Sequence, residues 1–252
     1  MPSTLFTIPL WLDLAAVGIG AIQGAMFAGR FKDARFDLLG VALIGVVVGL
    51  GGGLLRDIFL GGVPAALLSN WYLPVATGAA LLGMLLQSHF NRLGPLIIGL
   101  DAVTIGLFGA IGTSKALAAG LPEIPSLFVG VVSAVGGSAV RDMMLNVPIA
   151  VMHVGSHYAV AAGVGSGLLV MLFLLDVPIT IAGIVCVVAT TVIRVLSARY
   201  GWSLPQQRAI GSWPRWRRTE GRTEGRTEGR TEGRTEGRPA PRAAGRRWRW
   251  GP

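Results

Sequence analysis

Seven apolar runs, near residues 10–28, 37–60, 71–89, 95–118, 125–145, 156–175 and 178–197, constrain this chain more than any other feature. Each is about twenty residues long, the length at which a helix rising about 1.5 Å per residue crosses a hydrocarbon core of about 30 Å. They lack the polar alternation of transmembrane strands. The connections are short and rich in turn formers: Gly61-Gly62-Val63-Pro64, Gly94-Pro95, Leu121-Pro122-Glu123-Ile124-Pro125 and Asp176-Val177-Pro178. The sequence therefore predicts an all-α membrane protein with seven transmembrane helices. The first run has no basic segment before it and six spans after it, so it reads as a retained span and not a cleaved signal.

Charge is scarce and unevenly placed. Only 14% of the residues are charged, against about 25% in soluble domains. Residues 1–207 hold nine basic and eight acidic side chains, whereas residues 208–252 hold thirteen arginines against five glutamates. The net charge of +9 thus describes a tail, and a nucleic-acid-binding reading would misplace it. Within the tail, Thr219–Arg238 is five copies of TEGR, which cannot bury a core and reads as disordered. Trp213, Trp216, Trp248 and Trp250 interleave with arginines at its two ends, a pattern compatible with resting on anionic lipid. The lone Cys186 excludes an internal disulfide, and His153 and His157 have no third ligand nearby, so no metal site or cofactor is expected.

Basic residues set the orientation. Arg30, Lys32, Arg35 and Arg92 fall in loops on one side, which also receives the tail from Arg199 onward; the loops opposite carry no Lys or Arg. This places the N-terminus outside and the C-terminus in the cytoplasm of a cell (inner) membrane.

The segment opening at Asp13 recurs at Asp101. GGGLLRD at Gly51–Asp57 matches GGSAVRD at Gly136–Asp142, Val63-Pro64 matches Val147-Pro148, and Trp71-Tyr72 falls where His157-Tyr158 does. Three spans per unit put the second copy upside down in the membrane, an inverted repeat of the kind permeation proteins use. The organisation expected is a first repeat over 8–93, a second over 94–175, a seventh helix over 176–198 and the basic tail over 199–252. Three glycines at 51–53 weaken a helix by about 1 kcal/mol each relative to alanine. Such glycines serve either close helix packing or a kink beside a polar pathway. Their duplication before Arg-Asp favours the kink.

Intramembrane charges are costly and so mark function. The candidates are Asp13, Arg56, Asp57, Asp101, Arg141 and Asp142. Depth along the spans pairs Asp13 with Arg56 near one face and Asp101 with Arg141 near the other. Lys115 reads as an unpaired cation in span four.

Together, the GGGxxRD and GGxxxRD motifs, the aspartates opening each repeat, Val-Pro after each motif, Lys115 and the seventh span resemble the bacterial trimeric intracellular cation channel family. The same domain family is also described as a glycine transporter. The resemblance spans about residues 8–198. It implies a homotrimer in a lipid membrane, each subunit with its own pore lined by kinked second and fifth spans, conducting potassium and other monovalent cations. It further implies pore positions at Gly51, Gly52, Gly53, Arg56, Asp57, Gly136, Gly137, Ser138, Arg141 and Asp142, with Asp13, Asp101 and Lys115 in support. Ser138 replaces the third glycine of the second repeat. A carrier of glycine or a similar zwitterion is the alternative, with Arg as carboxylate partner and Asp as ammonium partner. A tightly packed membrane scaffold leaves the repeated Arg-Asp pair unexplained.

Overall fold

The computed structural model describes residues 8–31, 37–89, 94–152 and 158–200. The apolar runs are helices: α1 (Leu10–Ala28), α2 (Leu38–Phe59), a short α3 (Ala65–Leu68), α4 (Tyr72–His89), α5 (Gly94–Ala118), α6 (Glu123–Met144), α7 (Tyr158–Leu174) and α8 (Ile179–Tyr200). Five of them (α1, α2, α5, α6 and α8) are long and apolar enough to cross a membrane, and α4 and α7 are shorter apolar helices. The α3 turn, which falls in the connection after Gly61, is not a span. Lys32, Arg35, Arg92, His153, Ser156, His157 and the TEGR tail lie outside the described residues.

Helices α1, α2 and α4 pack on one another, as do α5, α6 and α7. The two three-helix units meet where α2 lies against α6 and α1 against α5, and α8 packs on α5 and α7. The chain is thus an inverted three-helix repeat with a seventh spanning helix. Lipid tails give no hydrophobic drive between helices, so close packing of small residues supplies the cohesion. Ala16, Ala21, Ala25, Ala76 and Ala80 fill the first unit with no exposure. Large apolar side chains such as Leu38, Leu39, Leu67 and Ile124 point outward, as lipid contact requires.

The ends of α2 and α6 repeat in atomic detail. After α2, Gly61 N–H donates to Ile58 O and Gly62 N–H to Asp57 O; after α6, Asn146 N–H donates to Met143 O and Val147 N–H to Asp142 O. Both ends are the same helix stop, with a left-handed residue at its turn: Gly61 at φ 68° and Asn146 at φ 51°. Glycine takes that conformation without strain, and asparagine tolerates it better than most residues. The Val-Pro pairs that follow slip by one residue relative to the turn, because Ala65 and Ala150, each eight positions after its aspartate, are the true equivalents.

Helical hydrogen bonding runs through Gly51–Gly53 and Gly136–Gly137 without interruption. The glycines are used for contact. A Cβ on Gly52 would strike the carbonyl oxygen of Ser133, and one on Gly137 would lie 2.5 Å from the carbonyl oxygen of Val48. Val48 and Ser133 hold the same place in their repeats, so α2 and α6 cross about a local two-fold axis. Only glycine admits such an approach of backbone to backbone.

Candidate functional site

Two clusters of buried charge form at the two ends of the crossing, each built from both repeats. Asp13, one turn into α1, is the hub of the first. Its Oδ1 accepts from Arg56 Nη1 at 3.3 Å; its Oδ2 accepts from Tyr72 Oη at 2.8 Å and from Lys115 Nζ at 3.1 Å. Arg56 also donates through Nε and Nη2 to Asp57 at 2.7 and 3.1 Å. Asp57 Oδ2, the oxygen that accepts from Arg56 Nη2, also takes the backbone N–H of Ala65 at 2.8 Å. One carboxylate of the motif therefore fixes the guanidinium and caps the loop that follows.

The second cluster surrounds Asp101 on α5. Arg141 Nη1 stands 3.6 Å from Asp101 Oδ1, and Arg194 Nη2, from α8, stands 3.5 Å from Oδ2. Gln23 Nε2 of α1 donates to Oδ1 at 3.1 Å. Arg141 donates through Nε to Asp142 Oδ1 at 2.9 Å, and Asp142 Oδ2 takes the N–H of Ala150 at 2.8 Å, the same loop cap as in the first repeat. Cation–π contacts complete the shell: Arg141 lies 3.9 Å from the ring centre of Phe27, and Arg194 lies 3.9 Å from that of Tyr158.

Both clusters carry two carboxylates and two cations, so each is formally neutral. Neutrality is what makes them tolerable, since an uncompensated buried charge costs far more than a pair. They sit apart along shared helices. Asp13 and Gln23 are ten residues apart on α1, about 15 Å along its axis at about 1.5 Å per residue. Helix α5 runs the other way, from Asp101 in the second cluster to Lys115 in the first.

The structure joins Asp13 to Arg56 and Asp101 to Arg141, the pairs that depth suggests. It also corrects the reading of Lys115, which is paired: α5 lies against α1, so its end reaches Asp13. Gly53 and Ser138 do not take part in the close crossing; a Cβ at Gly53 would meet nothing nearer than Arg56 Nη2 at 3.6 Å, and Ser138 Oγ donates to Val135 O at 2.8 Å. Arg194, Gln23 and Phe27 escape the sequence reading. Arg194 carried a signal, a charge inside an apolar span. Gln23 and Phe27 carried none, because only the fold brings α1 to Asp101 and Arg141.

Two spaces adjoin these helices. A cleft of about 10 Å³ beside Asp13, Arg56, Asp57 and Tyr72 holds at most about one water. A larger cleft of about 370 Å³ between α1, α5 and α8, lined by residues such as Trp11, Leu107, Ile111 and Val188, contains no charged side chain and suits neither an ion nor a zwitterion.

A multi-pass membrane protein built on an inverted repeat, with paired Arg-Asp motifs buried at a helix crossing, defines a class of permeation fold. The comparisons with known proteins are specific within that class. The glycine transporter domain matches residues 10–88 and 98–174, one block on each three-helix unit. A UPF0126 membrane protein of Deinococcus radiodurans is 35% identical over 62% of this chain and 73% of its own length. The UPF0126 inner membrane protein YadS of Escherichia coli K12 is 31% identical over 77% of this chain and 94% of its own. The chain belongs to this glycine transporter (UPF0126) family. Among solved structures, that of a TRIC cation channel studied for its conductance superposes with a TM-score of 0.70 at 30% identity, covering 80% of this chain and 98% of the other. The TRIC trimeric intracellular cation channel orthologue from Rhodobacter sphaeroides gives a TM-score of 0.71 at 26% identity, covering 77% and 98%. The fold is that of the TRIC cation channels.

Proposed function

We propose that this protein is a channel for monovalent cations, potassium foremost, with one pathway per subunit running along the α2–α6 crossing from one charge cluster to the other. The observation that carries the reading is the pair of neutral Arg-Asp clusters at the two ends of that crossing. An ion approaching either end meets carboxylates whose charge is balanced by paired cations, so it is attracted without being trapped. Gly51, Gly52, Gly53, Arg56 and Asp57, with Gly136, Gly137, Ser138, Arg141 and Asp142, would border the pathway. Asp13, Asp101 and Lys115 would set the local potential. The fold shared with solved TRIC channels supports this reading and its extension to a homotrimer. Because α2 and α6 touch backbone to backbone at Gly52 and Gly137, conduction on this reading requires them to part.

The orientation we propose is N-terminus outside and C-terminus cytoplasmic in the inner membrane, on the loop count of basic residues. Reporter fusions at Pro64 and at Arg215 should report opposite sides.

A second reading has its own support. The donors and acceptor around Asp101 match the carboxylate and ammonium of glycine, and the domain that matches the chain is described as a glycine transporter. Recording from purified protein in a planar bilayer separates the two. Unitary potassium currents favour the channel, whereas electrical silence with saturable glycine uptake into vesicles favours the carrier.

A further inference from the structure

The inverted repeat supplies its own control for buried positions, and one glycine junction changes its chemistry between the two copies. In the first repeat, a Cβ on Gly45 would meet Ala80 Cβ at 2.8 Å, Ala21 O at 2.9 Å and Ala25 Cβ at 3.1 Å. In the second, a Cβ on Gly130 would meet Thr113 Oγ1, Gly109 O at 3.0 Å and Ser166 Oγ at 3.0 Å. The junction is the same one, three helices closing on a glycine, with hydroxyls where the first repeat has methyls. Beside it, Gly24 faces the side chain of Val48, and its equivalent Gly112 faces that of Ser133. Ala25, Val48 and Ala80 have become Thr113, Ser133 and Ser166.

The exchange has no packing rationale, since the first repeat closes the junction with apolar groups. It also leaves polar atoms unsatisfied. Thr113, Ser133 and Ser166 are all fully buried, and the hydroxyls of Ser133 and Ser166 have no hydrogen-bond partner. Helical Ser and Thr ordinarily bond back to a carbonyl in the preceding turn. Thr104, Thr113 and Ser138 do so here, to Leu100, Gly109 and Val135. An orphaned hydroxyl costs desolvation without return, and two of them midway along α6 and α7 call for an occupant. The oxygens at this place are neutral and carry no carboxylate, a donor set that suits a singly charged cation shedding part of its water and not a divalent one.

We propose that the α5–α6–α7 junction of the second repeat is a coordination site for a monovalent cation, formed by the hydroxyls of Thr113, Ser133 and Ser166 with the carbonyl of Gly109. The site is closed in this conformation and takes its ion when α6 moves off α5. It rests on the channel reading for its place in a pathway, but its binding is measurable without conduction. The first repeat has no such site, so ions meet coordinating hydroxyls on one side of the α2–α6 crossing only.

The test transplants the first repeat into the second: Thr113→Ala, Ser133→Val and Ser166→Ala together. Thermal unfolding of the full chain in detergent is followed as potassium chloride replaces N-methyl-D-glucamine chloride at constant ionic strength. Wild type should be stabilised by potassium, and the triple variant should need at least tenfold more potassium for the same shift. In N-methyl-D-glucamine the triple variant should unfold no earlier than wild type, since it loses orphaned hydroxyls. An equal potassium response in both proteins, or none in wild type, overturns the site. Should the triple variant fail to fold, Ser166→Ala and Ser133→Ala singly carry the same comparison. A potassium response lost in the variant alongside an electrically silent wild type would retain the site and remove the channel reading.

Discussion

The two charge clusters are built from the same motif, yet they are not equally closed. Around Asp13 both carboxylate oxygens are hydrogen-bonded, with partners between 2.8 and 3.3 Å. Around Asp101 the arginine pairs stand at 3.5 and 3.6 Å, and Asp101 Oδ2, Arg141 Nη1 and Arg194 Nε are buried without a hydrogen bond. Repetition copies the backbone, the Arg-Asp fork and the loop cap. The outer partners differ: a lysine from α5 completes the first cluster, whereas an arginine from α8, a helix outside the repeat, completes the second. A symmetric scaffold thus acquires one tight end and one loose end, and the loose end is where less interaction must be broken for the helices to separate.

The largest effect should come from removing the hub of the tight cluster. Asp13→Asn leaves Arg56 and Lys115 facing a neutral group and should cost about 3–5 kcal/mol, the usual price of breaking a buried pair. Asp101→Asn should cost less, because its pairs are longer. Adding Arg141→Gln to Asp101→Asn should recover part of the loss. Thermal unfolding of the four proteins measures this, and equal losses at Asp13 and Asp101 would erase the distinction between the clusters.

Tyrosines give a finer version of the same contrast. Tyr72→Phe deletes a hydrogen bond to a carboxylate and should cost about 1.5–3 kcal/mol. Tyr158→Phe keeps the ring that Arg194 stacks on and should cost less. Greater loss at Tyr158 would show that the second cluster is the more tightly held.

The crossing between the clusters can be pried open directly. Gly52→Ala and Gly137→Ala each push a methyl group into a backbone carbonyl that cannot rotate away, at about 1–3 kcal/mol. The double variant should cost less than the sum, since either methyl alone separates α2 from α6. Gly53→Ala makes only ordinary van der Waals contact with Arg56 and Phe108 and should be near neutral. Potassium current should change in the first two and not in the third. Normal flux in a folded Gly52→Ala, Gly137→Ala protein would place the pathway elsewhere.

The smallest effect expected is from deleting residues 211–252, about zero on unfolding temperature and on current. The TEGR array has too little apolar surface to stabilise either cluster. A truncation that shifts the balance between them would give the tail a structural role.

Much of this was legible in the chain itself. Run length fixed the spans, because a helix must bridge a slab of set thickness, and an odd number of spans per repeat fixed their inversion. The Asp13–Arg56 and Asp101–Arg141 pairs followed from depth alone, since a buried charge needs a partner at its own level. The close crossing at the glycines did not follow. Glycine is the same letter wherever it serves, and only the fold brings the carbonyls of Ser133 and Val48 opposite Gly52 and Gly137.

The sequence by itself determined what its segments need: lipid for the leucines, partners for the buried Asp and Arg of the repeats, a turn at Gly61-Gly62. Tertiary structure alone decided which partner answers. Lys115 meets Asp13 across 102 positions, Gln23 meets Asp101 across 78, and Arg194 arrives from a helix the repeat does not contain. Depth along a span is a one-dimensional quantity that the chain spells out. The rotation of each helix and its choice of neighbours are set by how small side chains fit between whole helices, which no single segment encodes.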